Sequence, residues 1–129
     1  TVVAQEHGNI HRSTELGAAA TVRLLERCDA FRQPERFAQV LLACECDARG
    51  RLGQQDAPYP QRPRLWHALQ TLQGLNLGAI AQTVTQEMQA NPNASRASPT
   101  SVGERIRRRI HQARIARLQA SSGNYSFQD

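Results

Sequence analysis

The hydrophobic residues of this chain recur every three or four positions, which is the spacing of one face of an α-helix. This spacing predicts helices over 2–9, 15–28, 34–50, 63–74, 77–90 and 102–120. Gly8 and Asn9 are expected to end the first helix. No stretch alternates between apolar and polar residues as a half-buried strand does. Because isolated helices of this length are marginal in water, the predicted fold is all-α, with about five to six helices packed together.

Residues at the predicted helix starts support this division of the chain. Ser13 or Thr14 can cap the second helix with a side-chain oxygen. Pro34 fits the first turn of the third helix, where a proline is tolerated. Ser101 and Glu104 match the capping-box pattern and predict the start of the last helix.

The segments between and after these helices are predicted to be irregular. A proline-rich loop is expected at 53–63 and a polar loop at 91–100. The polar residues of 121–129 predict a disordered tail, so the helical unit is expected to span 1–120. Because the chain begins at Thr1 inside a helical pattern, it is predicted to be a fragment of a longer protein.

Composition favours a polyanionic partner. The chain has 129 residues, the size of one domain, and a formal charge of +5. All sixteen basic residues are arginine, whose planar guanidinium suits phosphate. No stretch approaches the roughly 18–20 apolar residues of a membrane span, so no membrane contact is predicted. The three cysteines lack a zinc-ligand spacing and are interpreted as reduced thiols of a cytoplasmic protein.

The last predicted helix has the strongest local charge bias, with six arginines and one acidic residue. The candidates for nucleic-acid contact are its residues Arg105, Arg107, Arg108, Arg109 and Arg114. Val102, Ile106, Ile110 and Ala113 lie along another face and are expected in the core. A basic amphipathic helix can contact RNA phosphate, lie on a membrane surface, or only keep the protein soluble.

Two histidines form a weak candidate for a metal site. His7 and His11 are spaced i, i+4 and would share a face of a continuous helix. No third ligand is within reach by sequence, and two ligands fall short of the usual number. Solvent-facing histidines are therefore the favoured interpretation.

The third predicted helix ends on alternating charges, at Glu45, Asp47, Arg49 and Arg51. The favoured interpretation is a solvated helix end with local ion pairs, each worth about 0 to 1 kcal/mol. Two carboxylates two residues apart point about 200° apart on a helix, which argues against a paired acid/base device. No phosphate-binding glycine loop, nucleophile elbow or zinc-protease motif is present, so the residues alone identify no reaction.

The stretch CDAFRQPERFAQVLLACECDARGRLG, followed by DAPYPQ, resembles the C-terminal region of bacterial CCA-adding enzymes, the tRNA nucleotidyltransferases that carry an HD domain. EHGNIH near the start and ERIRRRIHQARIARL near the end resemble further parts of that region. The resemblance covers residues 6–118 and is weaker across 73–100. Its motif residues include Asp29, Arg32, Pro34, Arg36, Glu45, Asp47, Gly50, Tyr59 and Pro60.

The resemblance implies that the fold is the C-terminal part of an HD-type helical domain. It implies a parent enzyme that adds or repairs the CCA end of tRNA from CTP and ATP, with magnesium in an N-terminal nucleotidyltransferase domain. It also implies an HD domain with phosphohydrolase activity and a divalent metal. Both sets of catalytic residues would precede Thr1, so this fragment is expected to hold no cofactor and to be inactive alone. His7 falls near a histidine of the family pattern, but Gly8 stands where an acid often follows it.

For individual residues the resemblance implies mainly architectural roles. Glu45, Asp47, Arg49 and Gly50 would fix the corner between a helix and the loop that holds Tyr59 and Pro60. In the alternative, Arg49 and Arg51 face the tRNA. Apart from the resemblance, Arg32 and Arg36 are spaced four residues apart and can brace Asp29 or a neighbouring helix.

The function predicted on this basis is to complete the HD domain and help hold tRNA, with the arginines of the last helix as phosphate contacts. CTP and ATP would act through the missing N-terminal domain, and a homodimer is allowed. Two other interpretations stay open. One is a fragment of an HD-type metal-dependent phosphohydrolase, and the other is a non-catalytic helical interaction domain.

Overall fold

The computed structural model describes residues 2–51, 53, 55–90, 101–121 and 127, with side chains from Glu6 onward. These residues form six α-helices: α1 (Val2–His11), α2 (Ala18–Arg27), α3 (Pro34–Arg49), α4 (Gln61–Gln73), α5 (Leu77–Ala90) and α6 (Val102–Ala120). A short 3-10 helix, Ser13–Glu15, connects α1 to α2. None of the described residues lies in a strand, so the all-α prediction is confirmed.

The helices pack around one continuous apolar core. α6 lies against α5, α2 and α4, while α3 lies against α1 and α4. The largest fully buried side chains come from several helices and include Leu24, Leu25, Phe37, Leu41, Leu65, Leu69 and Leu118. No helix within the described ranges is long and apolar enough to cross a membrane.

The first helix continues past its predicted end, through Gly8 and Asn9 to His11. The Asn9 side chain donates a hydrogen bond to Glu6 Oε2 at 2.9 Å, one turn back. Burial raises the pKa of Glu6, but hydrogen bonds from Asn9 and Arg27 outweigh burial and hold that pKa below its usual value. The predicted stop at Gly8 is therefore wrong, because side-chain pairs and packing on α3 offset the low helix propensity of Gly and Asn.

The predicted cap of the second helix is also wrong. Ser13 is buried and its hydroxyl donates to the carbonyl of Ile10 at 2.6 Å, so it closes α1 instead of opening α2. The N-cap of α2 is Gly17, which makes no side-chain cap. Helix α4 starts at Gln61, earlier than the predicted Pro63, because a proline in the first turn disturbs no helical hydrogen bond.

The other predicted helix bounds are confirmed. α3 begins at Pro34, and α5 covers Leu77–Ala90 as expected. Ser101 caps α6, its hydroxyl oxygen accepting from the amide of Glu104 at 3.1 Å. The predicted loop at 91–100 lies outside the described residues.

Phe127 is an exception within the tail predicted to be disordered from 121 to 129, of which most lies outside the described residues. Its ring is buried in the core, 4.0 Å from the guanidinium carbon of Arg64. Arg64 is itself buried and donates to the carbonyl of Leu16 at 2.7 Å. The aromatic side chain thus tethers this point of the tail, which the polar residues around it do not indicate.

Candidate functional site

The end of α1, the end of α3 and the loop before α4 meet at a polar corner. An open pocket of about 500 Å³ lies there, termed the corner pocket. Its polar lining consists of His11, Arg49, Arg51, Tyr59 and Gln61. These residues lie on three separate segments, so only the packing of α1 on α3 and of α3 on α4 brings them together.

The imidazole of His11 is held from several sides in this pocket. Its Nδ1 shares a 2.8 Å hydrogen bond with the Tyr59 hydroxyl. Gln61 donates to the His11 carbonyl at 2.7 Å, which anchors the last turn of α1. Burial raises the pKa of Tyr59 above its usual value, helped by the nearby Cys44 and acidic side chains, so its hydroxyl stays neutral. The ring of His11 is therefore fixed in orientation.

Helix α3 supplies the third potential ligand that the sequence pattern lacked. The ligand atoms of His7, His11 and Asp47 lie within 4.8 Å of one another. The Asp47 Oδ2 is 3.4 Å from His11 Nε2. His7 and Asp47 are exposed and His11 is half-buried, so the prediction of solvent-facing histidines describes His7 better than His11. No local signal could have found Asp47, because it comes from a different helix.

The two carboxylates at the end of α3 have different partners. Glu45 lies 3.5 Å from Arg49 on its own helix and 3.6 Å from Arg62 on α4. Asp47 lies 3.8 Å from Arg51. Glu45 therefore links α3 to α4, while Asp47 belongs to the histidine pair. These are the local ion pairs expected at this helix end, with an added bridge to Arg62 that sequence reasoning missed.

Three buried polar atoms at the corner make no hydrogen bond within the described part of the chain: His11 Nε2, Arg49 Nε and Gln61 Oε1. An unsatisfied buried polar atom costs about 1 to 3 kcal/mol, so such atoms are few in folded proteins. Two of these atoms still have a carboxylate oxygen within ion-pair range: Asp47 Oδ2 lies 3.4 Å from His11 Nε2, and Glu45 Oε2 lies 3.5 Å from Arg49 Nε. Gly50 and Pro60 bound this corner as the caps of α3 and α4.

The Asp29 motif forms the turn between α2 and α3. Asp29 has a φ of 57°, in the left-handed region that Asp adopts more readily than most residues. The amide of Ala30 bonds to the carbonyl of Leu25 at 3.0 Å, which completes a Schellman ending for α2. Arg32 pairs with the Asp29 carboxylate at 2.9 Å. Arg36 is exposed, with no ion pair among the described residues.

The arginines of α6 differ in their exposure and in whether they form an ion pair. Arg107 and Arg108 are exposed and have no ion pair within the described ranges. Arg109 is exposed and pairs with Glu87 of α5 at 2.8 Å, while Arg105 is half-buried. Val102, expected in the core, is 42% exposed because it lies in the first turn of α6.

Arg114 is bound by the protein itself. Its guanidinium nitrogen lies 3.0 Å from Glu26 on α2, and its guanidinium carbon lies 3.7 Å from the centre of the Phe31 ring. His111, one turn earlier, contacts the same Glu26 carboxylate at 2.7 Å. These contacts join α6 to α2 and to the turn that follows α2. We call this group of residues the Glu26 cluster: Glu26, Phe31, His111 and Arg114.

The fold and the site define a basic all-helical domain with a histidine–carboxylate group at one corner. The chain is 57% identical over 95% of its length to a protein of Variovorax paradoxus named Multifunctional CCA protein. Proteins of the same name from Paracidovorax citrulli and Cupriavidus metallidurans are 62% identical over 83% of the chain and 49% identical over 95%.

The chain is thus a relative of the multifunctional CCA proteins, and the resemblance noted in its sequence is confirmed. It spans about a quarter of the length of these relatives, covering 26%, 24% and 26% of them. No protein-family model matches the chain. No solved structure matches it either.

Proposed function

We propose that this chain is the C-terminal part of a CCA-adding tRNA nucleotidyltransferase, an enzyme that adds or repairs the CCA end of tRNA from CTP and ATP. The observation that carries the proposal is the identity of 49–62% to proteins named Multifunctional CCA protein. In this proposal the chain completes an HD-type helical domain of a cytoplasmic enzyme. Nucleotidyl transfer belongs to another part of that enzyme, and this part is inert alone.

The residues of this chain do not fit the magnesium ion that nucleotidyl transfer implies. Magnesium prefers oxygen ligands in near-ideal octahedral geometry. Within the described part of the chain, the one group of three potential ligands contains two imidazoles, from His7 and His11, and a single carboxylate, from Asp47. The proposal therefore assigns the magnesium of the reaction to the rest of the parent enzyme.

The proposed contribution of this chain to tRNA binding is electrostatic. Arg107 and Arg108 project from α6 without an acidic partner in the described residues, so their charges are available to phosphate groups. Arg109 is the next candidate, although Glu87 already neutralises part of its charge. Arg114 is the weakest of the arginines predicted to contact RNA, because Glu26 and Phe31 occupy its guanidinium.

Substitution of the two free arginines tests this assignment. Neutralising phosphates releases counterions, so log K falls with log salt by about 0.7 to 0.9 per phosphate contact. We expect Arg107→Gln with Arg108→Gln to weaken tRNA binding and to reduce the magnitude of the salt slope by roughly 1 to 2. The slope is measured by titrating labelled tRNA at several salt concentrations.

The matched control is the pair Arg32→Gln and Arg36→Gln, which removes the same charge from exposed arginines near the α2–α3 turn. We expect it to change the salt slope much less, because these residues lie on other elements. An unchanged slope in the α6 variant, or an equal loss in both variants, would contradict the assignment of the tRNA contact to α6.

A further inference from the structure

We propose that His7, His11 and Asp47 form a binding site for a divalent transition-metal ion at the edge of the corner pocket, which His11 lines. The proposal rests on the geometry of these side chains alone. It does not depend on the proposed role in tRNA binding, and none of its three ligands is among the α6 arginines assigned to that role.

The distances suit a metal of the size of zinc. Zinc lies about 2.0 to 2.1 Å from a histidine nitrogen or a carboxylate oxygen, so two ligand atoms of a tetrahedral site are roughly 3.3 Å apart. His11 Nε2 and Asp47 Oδ2 are 3.4 Å apart. The His7 ligand atom lies within 4.8 Å of both. Because His7 is exposed and shares a face of α1 with His11, a small rotation of its side chain closes the remaining distance.

The surroundings of His11 are those of a metal ligand. A ligating histidine usually donates its other ring N–H to a fixed partner, which sets the tautomer and the ring orientation. The Tyr59 oxygen lies 2.8 Å from His11 Nδ1 and can accept a hydrogen bond from the N–H at that position. Nε2 then presents its lone pair towards Asp47, and this atom is buried without a hydrogen bond among the described residues.

The donor set selects the class of ion. Two imidazoles and one carboxylate favour zinc, iron, cobalt or nickel over magnesium and calcium, which prefer all-oxygen sites. Three protein ligands leave at least one position open, as in catalytic zinc sites. Arg49 and Arg51 line the corner pocket together with His11, so their charges favour an anion at an open position on that side. Arg51 lies 3.8 Å from Asp47 but is largely exposed, and it can move aside when the metal binds.

Cobalt(II) titration of the whole chain tests the site, because cobalt in a low-coordinate protein site absorbs in the visible range. The exposed Cys46, next to Asp47 in sequence, is the competing ligand. The titration is therefore made in a Cys46→Ser background. We expect saturable binding of one ion per chain, without a thiolate-to-metal charge-transfer band.

Two single variants identify the ligands. His7→Gln and Asp47→Asn each remove a ligand, and we expect each to lower cobalt affinity by at least about tenfold, since even outer partners of metal ligands contribute about 10- to 100-fold. Both residues are exposed, so both variants should fold. Circular dichroism spectra of the two variants test this. The matched control is Asp56→Asn, an exposed carboxylate of the nearby loop, which should bind cobalt like its parent.

Three results would overturn the proposal. The first is an affinity in His7→Gln and Asp47→Asn equal to that of the Cys46→Ser parent. The second is an equal loss of affinity in Asp56→Asn, which would indicate diffuse binding to surface charge. The third is binding that disappears in the Cys46→Ser background itself, which would place the ion on the thiol.

Discussion

Replacing Arg114 with Gln should destabilise the fold and leave the salt dependence of tRNA binding unchanged. The Arg114 side chain is only 13% exposed, while that of its partner Glu26 is 29% exposed. A hydrogen bond to a charged group contributes about 1.5 to 3 kcal/mol, and a cation–π contact such as that with Phe31 contributes about 0.5 to 2 kcal/mol. Because Glu26 is partly solvated, the lower ends of these ranges apply, and we expect a loss of about 2 kcal/mol.

Thermal and urea unfolding measure this loss. In a domain of this size 1 kcal/mol corresponds to roughly 4 °C in Tm, so Arg114→Gln should lower Tm by about 8 °C. The control is Arg117→Gln, an exposed arginine of the same helix without an ion pair in the described ranges. We expect that change to stay within about 0.5 kcal/mol. A double-mutant cycle with Glu26→Gln should give a coupling energy of about 1 kcal/mol.

The result that would refute this prediction combines the unfolding temperature with the salt slope of tRNA binding. If Arg114→Gln unfolds at the wild-type temperature and reduces the tRNA salt slope as much as the α6 double variant, Arg114 contacts RNA. The Glu26 cluster would then contribute nothing measurable to the packing of α6 on α2. A loss of stability with an unchanged slope supports the structural role.

Because its pKa is lowered, Glu6 contributes stability above about pH 5 that is lost as the pH falls through its folded pKa. The urea midpoint of Glu6→Gln should therefore vary less between pH 6 and 3 than that of the wild type; parallel curves would contradict this. Burial raises the pKa of Cys28 to about 12. The native protein should therefore react with a thiol reagent first at the exposed Cys46, and at the two buried cysteines only on unfolding. Equal reaction rates for all three thiols would refute this prediction. Leu69→Ala should cost about 2 to 5 kcal/mol because Leu69 is fully buried, whereas the exposed Leu42→Ala should change the unfolding free energy by less than about 0.5 kcal/mol.

The helices predicted well are those whose ends carry local signals. Pro34 starts α3, and Ser101 caps α6 with its own side chain, so these bounds depend on residues close in sequence. The end of α1 and the start of α2 depend instead on contacts between distant residues. Gln61 holds the last turn of α1, and Ser13 turns back to Ile10. Neighbouring residues in the sequence carry no signal for such contacts.

The candidate site likewise depends partly on a local sequence pattern and partly on contacts between distant residues. The i, i+4 spacing of His7 and His11 is visible in the sequence, but Asp47 joins them only because α1 packs on α3. Arg114 resembles its arginine neighbours in sequence, and its engagement depends on Glu26 of another helix. Charge and spacing therefore predicted the kinds of residues at the site. Tertiary packing determines which of these side chains are already held by an ion pair and which can bind a ligand.

The most direct test of the proposed function is the binding of this chain to tRNA at two salt concentrations, beside a random RNA of equal length. We expect tighter binding to tRNA than to the random RNA, and a loss of affinity as salt rises. Absence of binding, or equal affinity for both RNAs, would contradict this proposal and would locate tRNA recognition in other parts of the proposed parent enzyme.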